Sequence, residues 1–168
     1  MTVHIGVTGH RHLADLPAVV GAVDTVLDGL CPVGHRDAAV IVSALAEGAD
    51  RLVVDRVLAR PPATLRAILP LPSDDYATDF PRTASAFAGY LEQAGEIVIS
   101  RPSGTVREVA YEAAGRAMVD ASDVVLALWD GQPAAGRGGT AEIVAYAHDR
   151  GVRVVVVPVQ RALEAPCS

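Results

Sequence analysis

Six short runs rich in β-branched and aliphatic residues recur along the chain, at Val3–Thr8, Ala38–Ser43, Thr64–Leu69, Glu96–Ser100, Asp123–Trp129 and Val152–Pro158. Segments with helical spacing lie between most of them. This alternation constrains the fold more than any other feature. A strand, a crossover helix and a second strand close into a parallel pair, and repetition of the unit builds a sheet covered by helices. The runs Val124–Leu128 and Val152–Val157 are apolar without alternation, as expected of strands buried on both faces. The expectation is an α/β domain, a doubly wound parallel sheet of about six strands with helices on both faces.

The helical stripes are specific enough to place. Leu16, Val19, Val20, Val23, Leu27 and Leu30 share one face, with Pro17 suited to a first turn and Asp15 to a cap. Val53, Val54, Val57 and Leu58 mark a second helix, opened by Asp50. Phe87, Tyr90, Leu91 and Ala94 mark a third, closed by Gly95. Val106, Val109, Ala110, Ala113 and Ala117 mark a fourth, with Arg107, Glu108, Glu112 and Arg116 mostly outward. A fifth runs from about Gly139 to Arg150 and is closed by Gly151. The small residues around Ala110–Ala117 suit close packing, either on the sheet or against a second subunit.

A chain of 168 residues suits one domain, assigned to residues 1–160, followed by a C-terminal tail at 161–168. With 51% hydrophobic and 20% charged residues, disorder is excluded. Aromatics are only 4%, so the core must rest on Val, Leu, Ile and Ala. A net charge of −6 opposes the phosphate neutralisation on which nucleic-acid binding depends, so nucleic acid is not the expected partner. No apolar segment is long enough for a bilayer, and the chain opens on a strand-like run rather than a signal, so a cytoplasmic location is expected. Cys31 and Cys167 lack metal or redox spacing and read as free thiols.

Ligands of open parallel sheets bind outside the carboxyl ends of the strands. On that edge the sequence places Thr8-Gly9-His10-Arg11-His12, Ala46-Glu47-Gly48-Ala49-Asp50, Pro70–Tyr76, Arg101–Thr105, Asp130-Gly131 and Gly136-Arg137-Gly138-Gly139-Thr140. The last of these precedes a helix. Its glycines admit a ligand to the backbone, the helix N-terminus favours an anion, and Thr140 adds a hydroxyl. Arg11 is placed to clamp a phosphate beside Gly9 and His10. Glu142 reads either as a first-turn capping carboxylate or as a group beside the ligand's sugar. Asp130 either binds ribose hydroxyls or caps its loop. Asp50 reads as a helix cap first and a ligand residue second, and Glu47 and Gly48 join the ligand set. Asp74, Asp75, Tyr76 and Asp79 form an acidic loop, equally a lid or a solvated turn. His10 and His12 lack further ligands, so no metal is expected, and no cofactor. The first turn lacks Gly-x-Gly-x-x-Gly and no Gly-Lys-Ser/Thr follows a strand, which disfavours nicotinamide and P-loop chemistry.

Taken in order, Thr8-Gly9-His10-Arg11, Ser43–Asp50, Leu69-Pro70-Leu71-Pro72 with Asp75-Tyr76 and Asp79-Phe80, Trp129-Asp130-Gly131 and Gly138-Gly139-Thr140-Ala141-Glu142 resemble the bacterial branch of the SLOG superfamily. This group includes the LOG phosphoribohydrolases and DNA-processing protein A. The resemblance runs from Val3 to about Pro158. It implies a Rossmann-like fold, a nucleotide-type ligand and a homo-oligomer. LOG enzymes cleave the N-glycosidic bond of nucleoside 5′-monophosphates through a Gly-Thr-x-x-Glu segment and an upstream Arg. Gly139-Thr140-Ala141-Glu142 matches part of that segment, and Arg116 is the nearest candidate for the Arg. Two functions follow as expectations. One is a module that binds or senses a nucleotide or an ADP-ribose-like molecule. The other is a LOG-like hydrolase with Glu142 and Arg116 as catalytic residues. Both use Gly9, His10, Arg11, Glu47, Gly48, Asp130, Gly131, Gly138, Gly139 and Thr140 to bind the ligand.

Overall fold

The computed structural model describes residues 1–133 and 136–162. Six strands, β1 (Val3–Gly9), β2 (Ala39–Ser43), β3 (Ala63–Leu69), β4 (Ala94–Ile99), β5 (Val124–Trp129) and β6 (Arg153–Pro158), form one sheet in the order β4-β3-β2-β1-β5-β6. Every neighbouring pair is parallel. The expected α/β architecture is therefore present, and all six strands fall where the β-branched runs place them. The chain steps outward from β1 to β4, then returns to lay β5 beside β1. That reversal makes the β1–β5 gap the switch point where a parallel sheet opens a crevice.

Alternation along the strands splits the core into two. One cluster contains Ile5, Ile41, Leu65, Leu126 and Leu128, covered by α1 (Leu16–Leu30), α2 (Ala49–Leu58) and α4 (Ala84–Gln93). The other contains Val42, Ile68 and Val125, covered by α5 (Arg107–Asp120) and α6 (Thr140–Asp149). Helix α1 follows its predicted stripe: Val19, Val23 and Leu27 are buried, and burial of each stabilises by about 1.5–3 kcal/mol. Asp15 caps it, accepting from the Ala18 N–H at 3.4 Å.

Three sequence expectations require correction. Asp50 does not cap α2. Gly48 holds that position at φ 80°, and Asp50 turns inward from the first turn. Gly95 does not close α4 but lies within β4, because the chain passes straight from helix to strand through Ala94 in extended geometry. On α5 the buried residues are Ala110, Ala114, Met118 and Val119, so the stripe is rotated from the predicted one. Arg107 is correspondingly half-buried. The small residues of this helix are used inside the chain: a side chain at Gly115 would meet Ile143 of α6 at 2.4 Å. Cys31 is buried at the end of α1, while Cys167 lies outside the described residues.

Candidate functional site

A cavity of 360 Å³ opens at the carboxyl ends of β1, β2 and β3, beneath the segment that follows β5. That size is at the lower end of the roughly 300–1,000 Å³ of small-molecule sites. Its floor is Val7, Thr8 and Gly9 of β1, with Ala44, Ala46 and Asp50 beside them. Gly9 is required for packing as well as access, since a Cβ there would sit 2.5 Å from Ala49 Cβ and 2.7 Å from the Leu128 carbonyl.

The anion-favouring end lies at α6. Gly136, Arg137, Gly138, Gly139 and Thr140 line the cavity, and Arg161 closes it from the far end of the chain. Gly139 is the N-cap of α6 and supplies no side-chain bond. Gly138 adopts φ 76° and lies against the α5 backbone, where a Cβ would approach the Glu112 nitrogen to 2.9 Å. Of the two readings of Glu142, the structure displays the capping one: its carboxylate accepts the Gly138 N–H at 2.5 Å. Arg137 is held by Glu112, with its Nε 2.7 Å from the carboxylate.

His10 and Asp130 form a second cluster. The Asp130 N–H donates to His10 Nε2 at 3.1 Å, an arrangement that suits the neutral imidazole. Burial and then the nearby Arg161 cation hold the His10 pKa below its ordinary 6.5. The Asp130 carboxylate lies 3.2 Å from the same nitrogen, but it is engaged by the Gln132 N–H at 3.0 Å and by Arg161 Nε at 2.7 Å. The Gln132 bond, ahead of the Arg161 one, keeps Asp130 ionised below its usual range. Arg161 sits in the stretch assigned to the tail. It is carried back to the site by pairing with Leu13, and Ala162 donates to the His12 carbonyl at 3.1 Å.

The third wall is the segment after β3, comprising the short helix α3 (Ser73–Tyr76) and two 3-10 turns through Thr83. It is strapped down. Arg107 Nε donates to Asp79 at 2.8 Å and its Nη2 to Asp75 at 3.0 Å. The Tyr111 hydroxyl donates to Asp79 as well. Arg11 reaches the Asp79 carbonyl at 3.2 Å and Glu47 at 3.1 Å. The Thr83 hydroxyl donates to Glu47 and receives a bond from Arg51 at 2.9 Å. Burial acts to raise the Glu47 pKa, but the Thr83 and Arg11 bonds outweigh it and leave the carboxyl below its usual value. Tyr76, Phe80 and Phe87 pack edge to face behind this segment, and the Arg51 guanidinium lies 4.6 Å over the Phe80 ring.

Of the predicted ligand residues, Gly9, His10, Arg11, Gly138, Gly139 and Thr140 come together on the cavity wall. Asp130 stands behind His10, and Glu47 behind Arg11. Gly48 is a packing glycine: its missing side chain makes room for the Arg11 carbonyl, 2.2 Å from where a Cβ would stand. Gly131 turns the segment after β5 at φ 80°. Arg116 is 54% exposed, pairs with Glu112 at 2.8 Å and lies over the Tyr146 ring, outside the cavity wall. Neither Glu142 nor Arg116 lines the cavity, and Arg116 shares Glu112 with Arg137, which does.

Sequence reasoning ranked Asp50 as a cap first and a ligand residue second, and the structure reverses that order of placement. Asp50 is 6% exposed, lines the cavity, and accepts from the Ser43 hydroxyl at 3.2 Å and the Ala46 N–H at 3.4 Å. Burial dominates these bonds and lifts its pKa to about 7. The available signal was Ser43 seven residues before Asp50, a spacing that closes a loop back on its own strand.

No family model matches the chain, and no curated protein sequence matches it. Solved structures do. DNA processing protein A from Helicobacter pylori, described for its single-stranded DNA binding mode, aligns with a TM-score of 0.67 at 21% identity. The alignment covers 95% of this chain and 66% of that one, so this chain spans just under two thirds of its length. The Moco carrier protein of Chlamydomonas rheinhardtii aligns with a TM-score of 0.51 at 15% identity, over 95% of this chain and 78% of that one. The likeness is one of fold: a Rossmann-like domain of the kind found in DNA processing protein A.

Proposed function

We propose that this chain is a binding module for a nucleotide or a nucleotide-derived anion of the ADP-ribose type. The observation that carries the reading is the convergence of the α6 N-terminus with Arg11, Arg137 and Arg161 around one cavity at the sheet's switch point. Phosphate is assigned to the backbone of Gly139 and Thr140, where helix N–H groups and the dipole favour negative charge. Arg137 and Arg161 flank it, and each can exchange an acidic neighbour for the ligand. Neutral His10 and Asp130 stand on the ribose side. The carboxylate of Glu142 on Gly138 acts as a placeholder that the ligand's anion displaces or joins. A binding role is favoured over turnover because neither Glu142 nor Arg116 is among the residues that line the cavity.

The test is a panel of nucleoside monophosphates, ADP-ribose, NAD, cyclic nucleotides and a short single-stranded DNA, with melting temperature and released base followed together. A ligand at about 100 times its Kd stabilises by about 2.7 kcal/mol, an easily read shift. The expected result is a shift without base release, reduced in Arg137→Ala and Arg161→Ala. DNA is expected to bind weakly, in line with a net charge of −6. Base release abolished by Glu142→Gln would replace the reading with an N-glycosidic hydrolase. Silence across the whole panel would remove the nucleotide site altogether.

A further inference from the structure

The cavity has two chemically different ends. Arg137, Arg161 and the first turn of α6 form one, beyond β5. The other lies beyond β2 and β3, where Ala44, Ala46, Pro70, Tyr76 and Phe80 make a largely apolar wall. Set into that wall is Asp50. Its hydrogen-bond donors are all neutral: Ser43 and the Ala46 backbone, both on Oδ2, and the Ala44 backbone beside them. The other carboxylate on this wall, Asp79, is already engaged by Arg107 and Tyr111. A buried carboxyl of this kind is costly unless further donors reach it.

We propose that this end of the cavity receives a 2-amino-4-oxopyrimidine ring, the edge shared by guanine nucleotides and pterins, and that Asp50 accepts its ring N–H and its amino N–H. The inference rests on the anion-binding reading of the opposite end. Two parallel N–H donors match a carboxylate in the same fork geometry as a guanidinium. Adenine and cytosine present an acceptor beside their amino group, and uracil flanks its one N–H with carbonyls, so none offers that pair. Tyr76 and Phe80 are themselves packed and nearly buried, so a flat ring would lie along Ala44, Ala46 and Pro70 with the aromatic pair as backing. The spacing fits. Asp50 follows β2 and the α6 loop follows β5, and β1 alone lies between those strands, so the two ends are about two strand spacings, roughly 10 Å, apart. That is the reach of a nucleoside monophosphate laid across Gly9.

The same pairing fixes a proton balance. Burial holds Asp50 at about 7. The charged and titratable groups around it are Arg51 on α2 and Tyr76 on α3, with Arg11, Asp79 and Tyr111 acting on the Tyr76 hydroxyl. His10 faces the cavity from the β1 side. A double donor stabilises only the carboxylate, so binding expels the Asp50 proton. Affinity for GMP therefore rises with pH up to about 7 and then levels. An adenine edge pairs with the protonated acid, and AMP affinity falls over the same range.

Titration calorimetry on the full chain tests this, with GMP, neopterin monophosphate, AMP, XMP and ribose 5-phosphate in buffers of different ionisation enthalpy near pH 7. Charge-assisted bonds of this kind predict GMP or the pterin to bind at least about tenfold tighter than AMP, with proton release. Whichever of the two binds tighter identifies the source of the ring. Asp50→Asn is expected to reverse the preference towards XMP by about tenfold, since its amide donates to the 2-oxo group and accepts the ring N–H. Proton release by the parent chain needs no variant, so a variant that failed to fold would leave the test standing. Ribose 5-phosphate binding as tightly as GMP, with no effect of the base, would overturn the ring site and leave the anion site intact. Failure of every compound to bind would overturn both.

Discussion

Gly48 holds φ 80° at a point where the loop after β2 lies on the loop after β1, and an added methyl would meet the Arg11 carbonyl at 2.2 Å. Both obstacles are backbone, so neither relaxes by a rotamer change. Gly48→Ala is expected to cost on the order of 3 kcal/mol in denaturant unfolding. A loss under about 1 kcal/mol would mean that the two loops are not in contact. Asp50 and His10 act on stability with opposite signs. The folded pKa of Asp50, about 7, is above its ordinary 3.8, so its favourable contribution is complete below about pH 4 and is lost as pH rises to about 7. The rise from 3.8 to about 7 corresponds to roughly 4 kcal/mol. Asp50→Asn should therefore exceed the parent in stability at about pH 8, and the gap should close towards about pH 4. A gap independent of pH would refute the raised pKa. His10 is depressed, so its contribution is present above 6.5 and lost on acidification. Its ring resonance should titrate below 6.5 by NMR.

Helices α5 and α6 approach closely where Gly115 faces Ile143. Gly115→Ala gains about 1 kcal/mol of helix propensity but presses on the end of a flexible side chain. A double-mutant cycle with Ile143→Val should show favourable coupling of about 1 kcal/mol; strict additivity would place the helices further apart. The same two helices show what a sequence does and does not disclose about elements. The strands and the α1 stripe were legible because burial imposes a period on neighbouring residues. The end of α4 was not, because Gly95 is the residue that ordinarily stops a helix and here begins a strand. Arg107 read as outward because its partners, Asp75 and Asp79, lie 32 and 28 residues away, beyond the reach of any local pattern. Glu142 was left open for the same reason: choosing between capping and ligand contact required the position of the Gly138 N–H.

At the scale of the whole molecule the parallel sheet and the edge that carries the cavity were readable, since Gly and charged residues gather after successive strands. The strand order, and with it the meeting of the chain's two ends at Arg161 and His10, emerged only in three dimensions. One wall of the cavity differs from the others in what holds it. The segment from Ser73 to Thr83 rests on buried Tyr76 and Phe80 and is tied down besides by the partly exposed Arg11 and Arg107 on Glu47, Asp75 and Asp79, whereas the floor rests on β1 and β2. Ionic strength weakens the ion pairs and leaves the apolar packing intact. Salt thus becomes a control over traffic through the site. Escape of a bound molecule, even an uncharged one, should quicken between low and high salt in stopped-flow displacement, while the unfolding midpoint scarcely moves.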